Sequence, residues 1–444
     1  MRLSAFGCRL SAKLPKSLAE SRLPSPCPRA YPYFLSANRR WTVAERRQPK
    51  DGSDVGALFS SVPFSGFGPN RLDPSPASNA VHQVDGGRPS VLRARLRQLC
   101  PKRPGVYGMI DARGTLIYLG KAKALRARLL SYFRARSRDP KAGRILRETR
   151  AITWEHAPSE FAALLRELEL IRAWRPRFNV RGQPHRRRRA YICLGRQPAP
   201  YAFLAQRPPA GVLASFGPVP AGRRTREALR HCNDWFQLRD CPQSQTMHFA
   251  DEGDLFPTLR TAGCLRHEIG MCLGPCAGAC SRTRYHDHVR AARAFLCGAS
   301  TVLQELERDM TAASTALAFE RAAQLRDRLE AFRWLQEQLL RIRLARRRHS
   351  FIYPISDPHG NAVWYLIHRG GVERAIAAPV DAAARREAAQ SVHDVYRTKQ
   401  PRLEPAAVGE IEAVLLVAAW FRRHPEERAK CLRPGELLRR MKHY

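Results

Sequence analysis

The sequence predicts an α+β protein made of small units in series, and three observations predict it. Short apolar runs alternate with helix-like runs between Val91 and Trp174. Four cysteines cluster between Cys241 and Cys276. Apolar residues then recur at intervals of three and four from Leu303 to Phe332, with a break near Phe319, which is the pattern of a helical hairpin. The expected organisation is a basic disordered extension (1–90), a small α/β domain (91–183) and a connecting region (184–240). A Cys-rich metal-cluster segment (241–298), the hairpin (299–340) and a small α/β C-terminal region (341–444) follow.

The elements of the first domain follow in order. Val106 to Ile110, the Asp111-Ala-Arg-Gly114 turn and Thr115 to Leu119 read as a β-hairpin. Ala122 to Phe133 reads as a helix, with Leu125, Leu129 and Tyr132 on one face, and Arg144 to Arg150 as a second. Ile152 to His156 supplies a third strand. Ser159 caps a helix that runs to Trp174 and that Pro176 stops. The expected core is a three-stranded antiparallel sheet with helices. In the C-terminal region, Ser350–Ile355 and Ala362–His368 read as strands and Glu410–Arg423 as a helix.

Charge narrows the partners. The 444 residues hold 77 Lys+Arg against 39 Asp+Glu, a net charge of +38, which favours a polyanion such as nucleic acid. The longest apolar run, Ala413 to Phe421, is too short to cross a bilayer. Twelve cysteines without a secretory signal point to a reduced, cytoplasmic setting.

The polar residues of the first domain converge. A hairpin brings Tyr107 and Tyr118 together, Gly120 leaves room for a close approach, and Lys121 enters the next helix with Arg128 two turns on. In the capped helix, Leu164, Leu168 and Ile171 form the apolar stripe; Glu167 borders it, while Glu169 points away as solvated charge. The strings PGVY (104–107), IYLGKAKALRARLLSYF (117–133) and SEFAALLRELELIRAWRPRFNV (159–180) resemble the GIY-YIG nuclease domain of the UvrC excinuclease family and its shorter homologues. The resemblance implies that Glu167 holds one divalent ion, Mg²⁺ or Mn²⁺. It implies that Tyr118, helped by Lys121, activates the attacking water, that Tyr107 positions groups around it, and that Arg128 stabilises charge on phosphorus. Gly120, Tyr132 and Asn179 match supporting positions. Ala162 stands where the family usually has a carboxylate, and Arg186 to Arg189 replace an acidic stretch.

Cys241, Cys264, Cys272 and Cys276, the last three spaced C-x7-C-x3-C, can deliver four thiolates to a tetrahedral Zn²⁺ or a cubane cluster, and spacing does not separate these. This stretch too resembles UvrC, which implies a 4Fe–4S cluster of structural role. Cys280 and Cys297 read as buried or spare. In the hairpin, LAFERAAQLRDRLEAF resembles the UVR motif, which implies docking of the excinuclease partner UvrB through Met310, Phe319, Leu325 and Leu329. One active site is expected, since Asp357, Asp381 and Asp394 do not sit in strand contexts that suit a second carboxylate site.

The expected function is metal-dependent, structure-specific incision of damaged double-stranded DNA, on the 3′ side, in nucleotide excision repair. Two alternatives remain open: a non-cutting factor that recruits repair proteins, and a GIY-YIG endonuclease of another pathway. No membrane association is expected.

Overall fold

The computed structural model describes residues 59, 62–74, 81–134, 140–179, 189–252, 264–356, 360–397 and 408–442. The expectations for residues 1–58, Arg186–Arg188 and Asp357 lie outside these.

The first unit comprises β1 (His82–Asp85), α1 (Pro89–Leu99), β2 (Gly105–Ile110), β3 (Leu116–Ala122), α2 (Leu125–Arg134), α3 (Pro140–Glu148), β4 (Ala151–His156) and α4 (Glu160–Trp174). Its antiparallel sheet has four strands, ordered β1-β4-β2-β3, rather than the expected three. The added strand, HQVD, buries Val84 alone, so no alternation marks it in the sequence. The β2–β3 turn is held by Asp111, whose carboxylate accepts from the backbone N–H of Arg113 and Thr115, both at 3.0 Å, and by Gly114 at φ 75°. Ser159 caps α4 as expected, its hydroxyl accepting from the Ala162 N–H at 3.1 Å.

Residues 62–74, assigned above to a disordered extension, belong to the folded unit. Phe67 and Leu72 are buried, and Pro63 bridges to Thr115. Arg166 of α4 fastens this segment, donating to the carbonyls of Phe67 (3.1 Å), Gly68 (2.8 Å) and Pro69 (2.9 Å). Its guanidinium also pairs with the buried Glu155 at 3.1 Å, and the Asn70 amide donates to the same carboxylate at 2.7 Å. An ion pair this deep needs its remaining oxygens and protons satisfied, and these contacts do so. Burial still pushes the Glu155 carboxyl up, with Arg166 opposing.

The connecting region is itself folded. β5 (Arg189–Gly195), β6 (Tyr201–Ala205) and β7 (Ala214–Pro220) form an antiparallel sheet, ordered β6-β5-β7. Then come α5 (Arg223–Trp235), the short α6 (Leu265–Glu268) and α7 (Arg282–Leu296). The hairpin is α8 (Thr301–Thr315) and α9 (Phe319–Arg348), breaking where the sequence suggests, although α9 runs on to Arg348. It shares one core with the middle sheet: Phe332 packs on Phe295 of α7 with ring centroids 4.7 Å apart.

The C-terminal unit is β8 (Phe351–Ser356), β9 (Ala362–His368), β10 (Gly371–Ala377), α10 (Ala382–Arg397), α11 (Val408–Arg423), α12 (Pro425–Ala429) and α13 (Pro434–Lys442). It docks on α4: Phe161 meets Tyr353 and Tyr365 edge-on, at 5.2 and 5.4 Å between centroids. Segment 62–74 lies in this junction as well. Arg71 donates to the Val372 carbonyl at 3.0 Å, and the Tyr365 hydroxyl donates to the Leu72 carbonyl at 3.0 Å. Packing on two sides explains why the expected stripe on α4 was too narrow. Phe161, Ala162, Leu165, Arg166 and Leu170 are buried beside Ile171, whereas Leu164 and Leu168 are only half-buried. Among the described residues, no helix is long and apolar enough to cross a membrane.

Candidate active site

The β2–β3 register sets Tyr107 directly opposite Gly120 and Met109 opposite Tyr118. Both tyrosines therefore stand on one face of the sheet, with ring centroids 6.2 Å apart. Tyr132 of α2 completes a triangle, 6.1 Å from each ring. The Tyr107 and Tyr132 hydroxyls are hydrogen-bonded at 2.9 Å, and Arg128 Nε donates to the Tyr107 hydroxyl at 3.3 Å. The guanidinium of Arg128 also lies 5.2 Å from the centre of the Tyr132 ring. Gly120 makes the cluster possible, since any Cβ there would fall 2.5 Å from Tyr107 Cζ. The close approach is thus to a neighbouring side chain.

Burial pushes all three tyrosines well above the usual phenol range. For Tyr118 the neighbouring Tyr132 and the negative charge of Glu167 add to that effect, while Arg128 opposes it. Glu167, on α4, faces the same space. Its own carboxyl is raised by burial, against the lowering influence of Lys121, through charge and a backbone hydrogen bond, and of Arg128. The site thus holds a half-buried carboxylate whose charge its neighbours only partly offset. A hard divalent cation fits such a group, with water or phosphate filling its other positions. Among the described residues, no group of three or more His, Cys, Asp or Glu is placed to hold a metal ion.

Three expectations change. Lys121 belongs to β3, where it pairs with Val106, and not to the following helix; the sheet pairing runs to Ala122 before the chain bends. Its ammonium is engaged by Glu160 at 2.7 Å. Glu169 is no free solvated charge: Arg71 meets it at 2.6 Å and Arg166 at 3.7 Å. Asn179 spends its amide on backbone, donating to the Leu119 carbonyl at 2.8 Å and accepting from the Leu119 N–H at 2.7 Å. That makes it a brace for β3 rather than a group aimed at the reacting atoms. Glu155, Arg166 and Asn70 went unnoticed in the sequence, where an alternating strand and a charged helix give no sign of a buried ion pair.

The four cysteines lie in one neighbourhood, but no three of them are placed to hold a metal ion, so the expected ligand set is not assembled among the described residues. Burial pushes Cys272 up to about 12, and Cys276, Cys264 and Cys241 each contribute to its shift. The Gly274 N–H donates to Cys272 Sγ at 3.5 Å, and Arg239 Nη1 to Cys241 Sγ at 3.4 Å. In the hairpin, Leu325 and Leu329 are buried against the protein's own core and Met310 is partly covered. The tip is open, with Leu317 71% and Phe319 64% exposed. Two of the four expected partner-binding residues are therefore core residues, because α8 and α5 cover that face of α9.

Comparison with known proteins agrees with this layout. Family models match residues 103–180 as a UvrC-like GIY-YIG domain, 190–295 as a UvrC/Cho excinuclease middle domain and 300–333 as a UvrB/uvrC motif. These three stretches are similar to UvrC proteins. UvrABC system protein C of Pseudomonas syringae pv. syringae is 37% identical over 240 residues, 54% of this chain and 38% of that protein. That of Alkalilimnicola ehrlichii is 36% identical over 238 residues, 53% of this chain and 37% of that protein. The chain thus spans under two fifths of the length of these UvrC relatives. A solved structure of the GIY-YIG N-terminal endonuclease domain of UvrC from Thermotoga maritima, bound to its catalytic magnesium, is 36% identical. It covers 20% of this chain and 96% of that one, with a TM-score of 0.19.

Proposed function

We propose that the chain is a metal-dependent DNA endonuclease acting in nucleotide excision repair, cutting on the 3′ side of damage. The convergence of Tyr107, Tyr118, Tyr132, Arg128 and Glu167 on one face of the sheet carries this proposal.

Glu167 would hold one Mg²⁺ or Mn²⁺, which when bound supplies positive charge to the phosphate and to the departing oxygen. The other roles belong to this chain's own groups. Arg128, steered by the Tyr107 hydroxyl, offers a permanent positive charge to the extra negative charge on phosphorus. Tyr118 is a poor base while Glu167 stands uncompensated beside it, because both burial and that charge hold its proton on. Neutralising Glu167 would remove its share of this effect, leaving burial and Tyr132, so Tyr118 would accept a proton from water more readily with Glu167 engaged. Lys121, engaged by Glu160, holds the start of α4 against the end of β3 and acts through Glu167 rather than on water.

Cys241, Cys264, Cys272 and Cys276 would hold a 4Fe–4S cluster, with Zn²⁺ as the alternative; the two N–H···S contacts suit either thiolate centre. Phe319 at the hairpin tip and the open edge of Met310 would meet UvrB. The protein would work in the cytoplasm. A nicking assay on lesion-bearing duplex, with and without UvrB, tests the function. Nicking by the wild type and none by Glu167→Gln is expected; equal nicking by both moves the chemistry elsewhere.

A further inference from the structure

A cavity of about 330 Å³ opens where all four folded units meet. Leu168 of α4, Arg189 of β5, Arg341 of α9 and Arg422 of α11 line it, with Leu415 and Ala419 among its apolar walls. Its carboxylate, Glu412, is taken by Arg172 of α4 at 2.8 Å. Arg341 and Arg422 are exposed, and neither has an acidic partner among the described residues. Arginines from three separate units thus line one small space whose negative charge is already compensated, Arg189 also donating to the Pro218 carbonyl at 3.4 Å. Guanidinium forks match the paired oxygens of a phosphate, and apolar walls suit a sugar better than a hydrated ion. The space accommodates a nucleotide and excludes a duplex. Leu168 directly follows Glu167 on α4, about 100° further round the helix, so the same helix borders both the cavity and the candidate active site.

We propose that this junction is a strand-binding site that takes a phosphodiester and its sugar from single-stranded DNA, outside the bond to be cut. The proposal rests on the nuclease assignment for its strand, but its test does not involve cutting. Binding of a fluorescent single-stranded oligonucleotide is titrated in EDTA over a range of salt. Arg341→Ala with Arg422→Ala should weaken binding and flatten the salt dependence, reducing the log–log slope by about 0.7, the contribution of the one phosphate no longer neutralised. Arg439→Ala with Arg440→Ala, which removes equal charge from exposed positions on α13, should change the slope less. Ala419→Trp, which fills the space and keeps every charge, should weaken binding as well. Equal effects of the two arginine pairs, or none from Ala419→Trp, would overturn the proposal. Inorganic phosphate shifting the melting temperature of the wild type but not of the Arg341/Arg422 variant, with oligonucleotide binding equal in both, would assign the site to a free anion and overturn the strand assignment. A wild type that binds in this Arg341-dependent way yet never nicks would sink the nuclease assignment and leave this site standing.

Discussion

Replacing Gly120 with alanine probes the tyrosine cluster without touching a polar group. The new methyl would lie 2.5 Å from both Cζ and Oη of Tyr107 and 3.0 Å from Cε1. Carbon atoms sit comfortably at about 3.5–4.0 Å, so one group must retreat by roughly 1 Å. The ring cannot swing clear, being fully buried, with its hydroxyl held by Tyr132 at 2.9 Å and Arg128 at 3.3 Å. Overpacking of this kind costs about 1–3 kcal/mol of stability. A shift of that size in positioned groups costs about 10²-fold in rate. Single-turnover nicking at saturating enzyme, beside a thermal melt, measures both. Gly143→Ala is the comparison: its methyl meets nothing within 4 Å, and in the interior of α3 it should stabilise by about 0.5–1 kcal/mol. Wild-type nicking and melting in Gly120→Ala would refute the argued role of this contact.

Glu169→Gln should keep nicking but lose about 0.2–1 kcal/mol of stability through the Arg71 contact, checked by urea denaturation. Glu167→Gln should melt higher than the wild type in EDTA at neutral pH. The Glu167 carboxyl is raised in the fold from its ordinary 4.5, so its ionised form destabilises above the raised value, and the difference should close as pH falls towards 4.5. A difference that stays constant across that range would refute this. Leu325→Ala should lower stability by about 2–5 kcal/mol as a core truncation, whereas Phe319→Ser at the exposed tip should leave the melt unchanged and weaken UvrB capture in a pull-down.

The β2–β3 hairpin was legible because two apolar runs flank an Asp-Ala-Arg-Gly turn, and a two-residue period then decides which side chains share a face. Ser159 was legible because a cap is a local signal. The position of Lys121 was not, since glycine and alanine beside it fit either a strand end or a helix start, and only pairing with Val106 decides. The folded segment 62–74 escaped because its hold comes from Arg166 and Tyr365, far along the chain. The same distance hid the role of Leu325 and Leu329: spacing marks an apolar face without saying whether a partner or the protein itself covers it.

The two bonds that tie segment 62–74 to the C-terminal sheet also bear on the order of folding. Arg71 meets Val372 across 301 residues of chain, and Tyr365 meets Leu72 across 293. A ribosome must therefore make nearly the whole described chain before these contacts can form, and pairings so remote form late in folding. Until then α4, which carries Glu167, lacks one of its packing faces. A chain that stops short of β8–β10 would hold the hairpin of tyrosines but a loosely seated Glu167.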